Sequence, residues 1–256
     1  MQAWHDIPDE LIINFDQTPL SYVFCSKRTL EFKGAKSVPL LGKGKQITGT
    51  VDLYIMDTTY RCPPSDVEFP EGFNVTHTPT DWSNEEKVKE HLEDVIFPYL
   101  RSKRSELGLP AEQRAFLIYD LLKAKVTLTV LQVIEENHCV GVPAPPNLTH
   151  HYQPLDLIPN GRAKKFLNTK FEEWCARQIT KQLKDGKDNQ VKVDLTLTAM
   201  KPIHAKWVIG LYDYLRNETD SIKKSFSKAG ITAAIYEEIE GADPFSDLDC
   251  HKNESV

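Results

Sequence analysis

Three aspartates stand where side chains could do chemistry. Asp16 ends the apolar run in ELIINFD and Asp120 ends AFLIYD, while Asp156 follows a proline-rich stretch, PAPPNLTHHYQPLD, at the mouth of a helical pattern. Carboxylates delivered to strand ends and to a helix N-terminus suit a hard divalent cation, which takes oxygen ligands and leaves positions open for phosphate and water. Each acid alone has a plainer reading. An Asp after a strand is a turn or cap residue, and Asp156 by itself reads as an N-cap before it reads as a ligand. His150 and His151 share the loop, but zinc gathers nitrogen and sulfur ligands at recognisable spacings, so the pair reads as a hydrogen-bonding feature.

The elements that must hold these acids follow from periodicity. ELIINFDQTPLSYVF reads as a buried strand opening into a site, and TLEFKG and QITGTVDLYIM as further strands, short and rich in β-branched and aromatic residues. In DWSNEEKVKEHLEDVIFPYLRSKRSEL, Val88, Leu92, Val95, Ile96, Tyr99 and Leu100 mark an amphipathic helix, with Ser83 as N-cap and Glu86 in the capping-box position. AFLIYD repeats the strand-to-acid pattern, TLTVLQVIEENH reads as a helix and CVGVPAP as a short strand. Residues 157–184 form a long helix on Phe166, Phe171, Trp174 and Ile179. Helices follow at HAKWVIGLYDYLRNE and SIKKSFSKAG, then a polar, disordered tail. The strand core is expected to contain Ile12, Ile13, Phe15, Phe116, Leu117 and Ile118, with Asp16 and Asp120 ending adjacent strands. The prolines of PAPP and QP restrict the approach to Asp156.

Composition narrows the function classes. The chain has 256 residues, 40% of them apolar, enough for a sizeable core, and a formal charge of -6 that argues against a strongly basic nucleic-acid binder taken whole. Five cysteines, Cys25, Cys62, Cys139, Cys175 and Cys250, lie singly and are expected as free thiols of an intracellular protein, nuclear or cytoplasmic. There is no signal-peptide pattern and no apolar run of membrane-spanning length, so the N-glycosylation sequons at Asn74, Asn147 and Asn217 read as chance matches.

The segments NFDQTPLSYV, GKQITGTV, FPEGFNVTH, WSNEE, FPYL, FLIYD, PNLTHHYQPLD, AKKFL and MKPIHAKW, in that order, resemble the catalytic domain of pogo/Tigger-type transposases, of the DDE superfamily of endonucleases. The resemblance implies an RNase H-like fold, a mixed sheet flanked by helices, with three acids that bind two magnesium (or manganese) ions. Carried over by position, those acids are Asp16 in NFDQT, Asp120 in IYD and Asp156 in QPLD. Thirty-five residues separate the last two, a spacing compatible with the superfamily. One ion would activate a water or a DNA 3′-hydroxyl, the other would stabilise the leaving oxygen, and Asp16 would be shared. Lys123, Lys125, Arg162, Lys164, Lys165 and Lys170 surround the second and third acids and could hold DNA phosphates, or else form a solvated helix face.

Departures from the family temper this. Its members carry helix-turn-helix domains ahead of the first catalytic strand, whereas this chain starts a few residues before it, so sequence-specific docking is not expected. Between QITGTV and RCPP only DLYIMDTTY stands where the family runs through two strands, so one strand is expected to be missing and the strand beside Asp16 to lack a partner. The domains expected are an endonuclease-like unit over 1–184, its helical extension over 185–240 and a tail over 241–256. Two functions follow: a transposase-derived endonuclease domain that binds DNA, with metal-dependent phosphodiester cleavage and strand transfer, or a catalytically inert nucleic-acid or protein interaction module. An oligomer is possible but not indicated, and no membrane partner is expected.

Overall fold

The computed structural model describes residues 7–24, 48–52, 57–60, 67–70, 73–77, 84–186 and 191–236. TLEFKG, Cys25, Cys62, Cys250 and the 241–256 tail lie outside them.

Pro8 leads into a tight turn, Asp9–Leu11, whose Leu11 N–H donates to the Pro8 carbonyl. The turn drops the chain into β1, Ile12–Asn14, with all three residues buried. After Phe15 and Asp16 the chain continues as β2, Gln17–Ser21, which is antiparallel to β3, Thr48–Asp52. β3 pairs antiparallel with β4, Asp57–Tyr60, and β4 pairs parallel with β5, Asn74–His77. The strand after Asp16 therefore has a neighbour along all five of its residues, where the sequence led us to expect a lost partner. The polar run DTTY hid β4 by lacking the apolar alternation that marks a half-buried strand.

The helical segment divides into α1, Glu85–His91, one π-helical turn, Leu92–Ile96, and α2, Phe97–Glu106. Its cap is Asn84, whose side chain accepts from the Lys87 N–H at 2.9 Å, rather than Ser83. Asn and Ser cap comparably well, so adjacent candidates cannot be told apart by type.

β6, Ala115–Tyr119, is buried throughout and sits parallel between β1 and β7, Cys139–Pro143. Ile12, Ile13 and Asn14 register with Phe116, Leu117 and Ile118. The expected adjacency of these strands and their apolar core is what the structure contains. α3, Leu128–Glu136, connects β6 to β7 and starts at Thr127, whose hydroxyl accepts from the Val130 N–H. Gly141 of β7 lies against Tyr119: a Cβ there would crowd the tyrosine hydroxyl, so a larger residue would have to displace that ring.

Beyond β7 come two short helices, α4, Thr149–Tyr152, and α5, Pro154–Leu157, then α6, Pro159–Lys184. α6 buries Ala163, Leu167, Phe171 and Cys175, each four residues from the last. Of the apolar residues expected on this helix only Phe171 belongs to that stripe, while Ile179 is exposed. α7, Leu197–Arg216, starts earlier than the sequence suggested, capped by Thr196, and α8, Thr219–Lys228, and α9, Ile231–Tyr236, close the described chain.

Two apolar clusters result. One joins β1, β6, α1, α2 and α3; the other joins Leu20 and Tyr22 to α5, α6 and α7. The carboxylates lie where the strand joining these clusters, β1 to β2, bends. This is a mixed α/β architecture flanked by helices. Among the described residues no helix is long and apolar enough to cross a membrane.

Candidate carboxylate site

Asp16 occupies the bend between β1 and β2. The bend is pinned by backbone pairing, since the Phe15 N–H donates to the Ile118 carbonyl at 3.0 Å. Asp120 follows the last residue of the neighbouring strand β6, so parallel pairing alone brings these two acids to the same end of the sheet.

Asp156 arrives by another route. Pro145, Pro146 and Asn147 form a turn in which Asn147 takes φ 62°, a left-handed conformation that Asn tolerates better than most residues. The turn leads through α4 into α5, where Asp156 stands in the first and only helical turn. α6 begins after it, at Pro159, so Asp156 does not cap the long helix.

Asn14 ties this segment to the sheet. Wholly buried at the end of β1, it donates from Nδ2 to the Ile118 carbonyl at 2.9 Å and accepts at Oδ1 from the Leu155 N–H at 2.8 Å. One side chain thus fixes β1 to β6 and both to the residue before Asp156. A polar residue closing an otherwise apolar strand must be hydrogen-bonded if buried, and that was the signal available in IIN.

Two nitrogen donors lie among the acids. Lys125, in the short 3-10 turn Lys123–Lys125 after Asp120, is 1% exposed, with Nζ 2.7 Å from Asp120 Oδ1 and 3.4 Å from Asp16 Oδ1. The ammonium also lies 5.1 Å from the centre of the Phe15 ring. Asn160, in the first turn of α6, donates from Nδ2 to Asp156 Oδ1 at 2.8 Å and lies 3.4 Å from Asp16 Oδ2. The structure therefore brings all three acids together: Asp16 shares Lys125 with Asp120 and Asn160 with Asp156. Asp16 is buried, Asp120 partly buried and Asp156 exposed, so the cluster opens to solvent on the Asp156 side.

Burial raises the proton affinity of Asp16 most. Lys125 works against that, Asp156 and Asp120 add to it, and the Gln17 backbone N–H opposes it. Burial therefore outweighs the single ammonium.

The basic residues separate by environment. Lys125 was expected among the phosphate contacts, but it is turned inward and committed to carboxylates, as a buried lysine must be. Arg162 pairs with Glu218 at the start of α8, and Lys170 pairs with Glu173 and lies 5.5 Å from the centre of the Phe166 ring. Lys123, Lys164 and Lys165 are exposed. Lys164 stands four residues after Asn160, one turn along the same face of α6. The rings of His150 and His151 lie 4.2 Å apart on exposed α4. Cys139 and Cys175 are buried free thiols, each pushed by burial up to about 11.

Three carboxylates are the hard oxygen donors that magnesium takes. Their geometry does not fit a metal pair: among the described residues no three acidic, histidine or cysteine side chains meet as a metal site, and the position between Asp16 and Asp120 is filled by Lys125 Nζ.

No known protein-family model matches the chain, and no curated protein matches it. Among solved structures it is similar to one described as the crystal structure of a pre-cleavage Mos1 transpososome, with 10% identity and a TM-score of 0.45 over 86% of this chain. The chain spans 56% of the length of that one.

Proposed function

We propose that this chain is a transposase-type, RNase H-like domain that binds nucleic acid and whose acidic cluster is held in a non-cleaving state. The observation that carries this reading is the convergence of Asp16, Asp120 and Asp156, from three separate stretches of chain, around Lys125 and Asn160. The buried Asp16 and Lys125 make a costly way to build a core, because desolvated charges rarely repay their burial. Costly polar clusters open to solvent mark functional sites. The strand order supports the RNase H-like assignment: a parallel trio whose first strand runs on through a bend into an antiparallel sheet, with an acid at the bend and another at the end of the adjacent strand. The segments from NFDQTPLSYV to QPLD favour, within that class, the pogo/Tigger type.

Nucleic acid would be held by phosphate contacts from Lys123, Lys164 and Lys165, which flank the second and third acids and are exposed. The two-ion cleavage that the resemblance implies is not part of the reading, because Asp16 and Asp120 already share an ammonium. Binding is tested by fluorescence anisotropy with duplex DNA over a salt series. The wild-type chain should bind at low salt, and exchanging the three lysines for Gln should flatten the slope of log K against log salt by roughly 2.7, since each phosphate that a lysine neutralises adds about 0.9 to it. Equal slopes would remove these lysines from the interface, and no binding at low salt would sink the reading.

A further inference from the structure

We infer that Lys125 is a built-in counter-cation that keeps a divalent metal ion out of the carboxylate cluster, and that removing its charge turns the cluster into a divalent-cation site. The inference rests on the functional reading above only in treating the cluster as a site; it concerns cation binding without DNA.

Lys125 is placed by the backbone. The chain turns sharply after Asp120, the Lys125 N–H donates to the Leu122 carbonyl at 2.8 Å, and the side chain then runs inward from the fifth residue after the acid it meets. Its Nζ touches a carboxylate of each parallel strand end, where a bridging cation would stand. An ammonium is a compact point charge with three donors and can fill such a position, which a planar guanidinium cannot do with the same geometry.

A metal ion and this ammonium exclude one another. A dication entering between Asp16 and Asp120 would displace a side chain that is 1% exposed and repel its charge at close range. The Asn160 amide closes the other side by donating to Asp156 while lying against Asp16, but it carries no net charge and can rotate to offer its carbonyl oxygen to a hard cation. Lys125 is therefore the barrier. Replacing it leaves three oxygen ligands with no cation among them.

The test uses Mn²⁺ alone as probe, with the full chain as wild type, Lys125→Gln and Lys125→Met, each with and without Asp120→Asn. Bound Mn²⁺ is read by electron paramagnetic resonance and fold stability by thermal melting in EDTA or Mn²⁺. The wild type should show no saturable site and no Mn²⁺-dependent shift. Lys125→Gln should gain a saturable site that Asp120→Asn removes, with Tm raised by roughly 5–10 °C when Mn²⁺ is a hundredfold above its Kd. A saturable wild-type site abolished by Asp120→Asn would overturn the inference. So would a folded Lys125 variant without a site, or two variants that fail to melt cooperatively even in Mn²⁺, since a cation able to replace the ammonium would restore the fold. DNA binding is measured separately, so failure here leaves that reading standing.

Discussion

The backbone N–H of Leu155 donates to the side-chain oxygen of Asn14 across 141 residues of sequence, and this bond joins the third acid to the strands carrying the other two. Asn14→Ala would leave the Leu155 N–H buried without its acceptor, while the Ile118 carbonyl would keep its bond from the Phe15 N–H. The expected loss is about 1–3 kcal/mol in denaturant melts, the cost of one orphaned donor. Asp156 should also lose its fixed place, seen as enhanced amide hydrogen exchange over residues 153–157 with the β6 amides still protected. An exchange pattern like that of the wild type would deny Asn14 this positioning role.

His204 of α7 is buried beside Tyr22, their ring centres 4.6 Å apart, and neither of its ring nitrogens has a hydrogen-bond partner among the described residues. Burial pushes its pKa from 6.5 down to about 4. Well above pH 6.5 the ring is neutral in both states and its titration contributes nothing to stability. As pH falls from 6.5 towards 4 the unfolded chain takes up a proton that the native state refuses, so about 3 kcal/mol of stability is lost across this window. His204→Leu should flatten the acid limb of the stability profile; an unchanged limb would contradict the assignment.

Asp16 should act in the opposite sense. The native state holds its proton more tightly than the unfolded chain does, so stability falls as pH rises from the unfolded value of 3.8 through the raised native one. Facing it are Lys125, Asp120, Asp156 and the neutral Asn160. Asp16→Asn should therefore be more stable than the wild type at neutral pH, with the gain vanishing under acid conditions where both carry no charge. A variant less stable at neutral pH would mean that the Lys125 attraction outweighs burial.

Much of the site was legible in the sequence because its carriers are extreme. LII and AFLIY are short apolar runs closely followed by an acid, the pattern that buried parallel strands produce. The direction of Lys125 was not legible. A lysine five residues past a strand looks the same whether it faces solvent or the protein, and only the 3-10 turn settles which. The fully buried line of α6 was not legible because two of its members, Ala163 and Cys175, are small, whereas Phe166 and Trp174 pack half-buried beside it on Tyr214 and Trp207 of α7.

The most direct measurement is a single assay of duplex plasmid with the wild-type chain in Mg²⁺ or Mn²⁺ at low salt, reading DNA retention on a gel and strand nicking from the same tubes. DNA should be bound and remain uncut, because the ammonium of Lys125 sits between Asp16 and Asp120. Efficient nicking that Asp120→Asn abolishes would contradict the non-cleaving state and favour metal-dependent cleavage by the cluster.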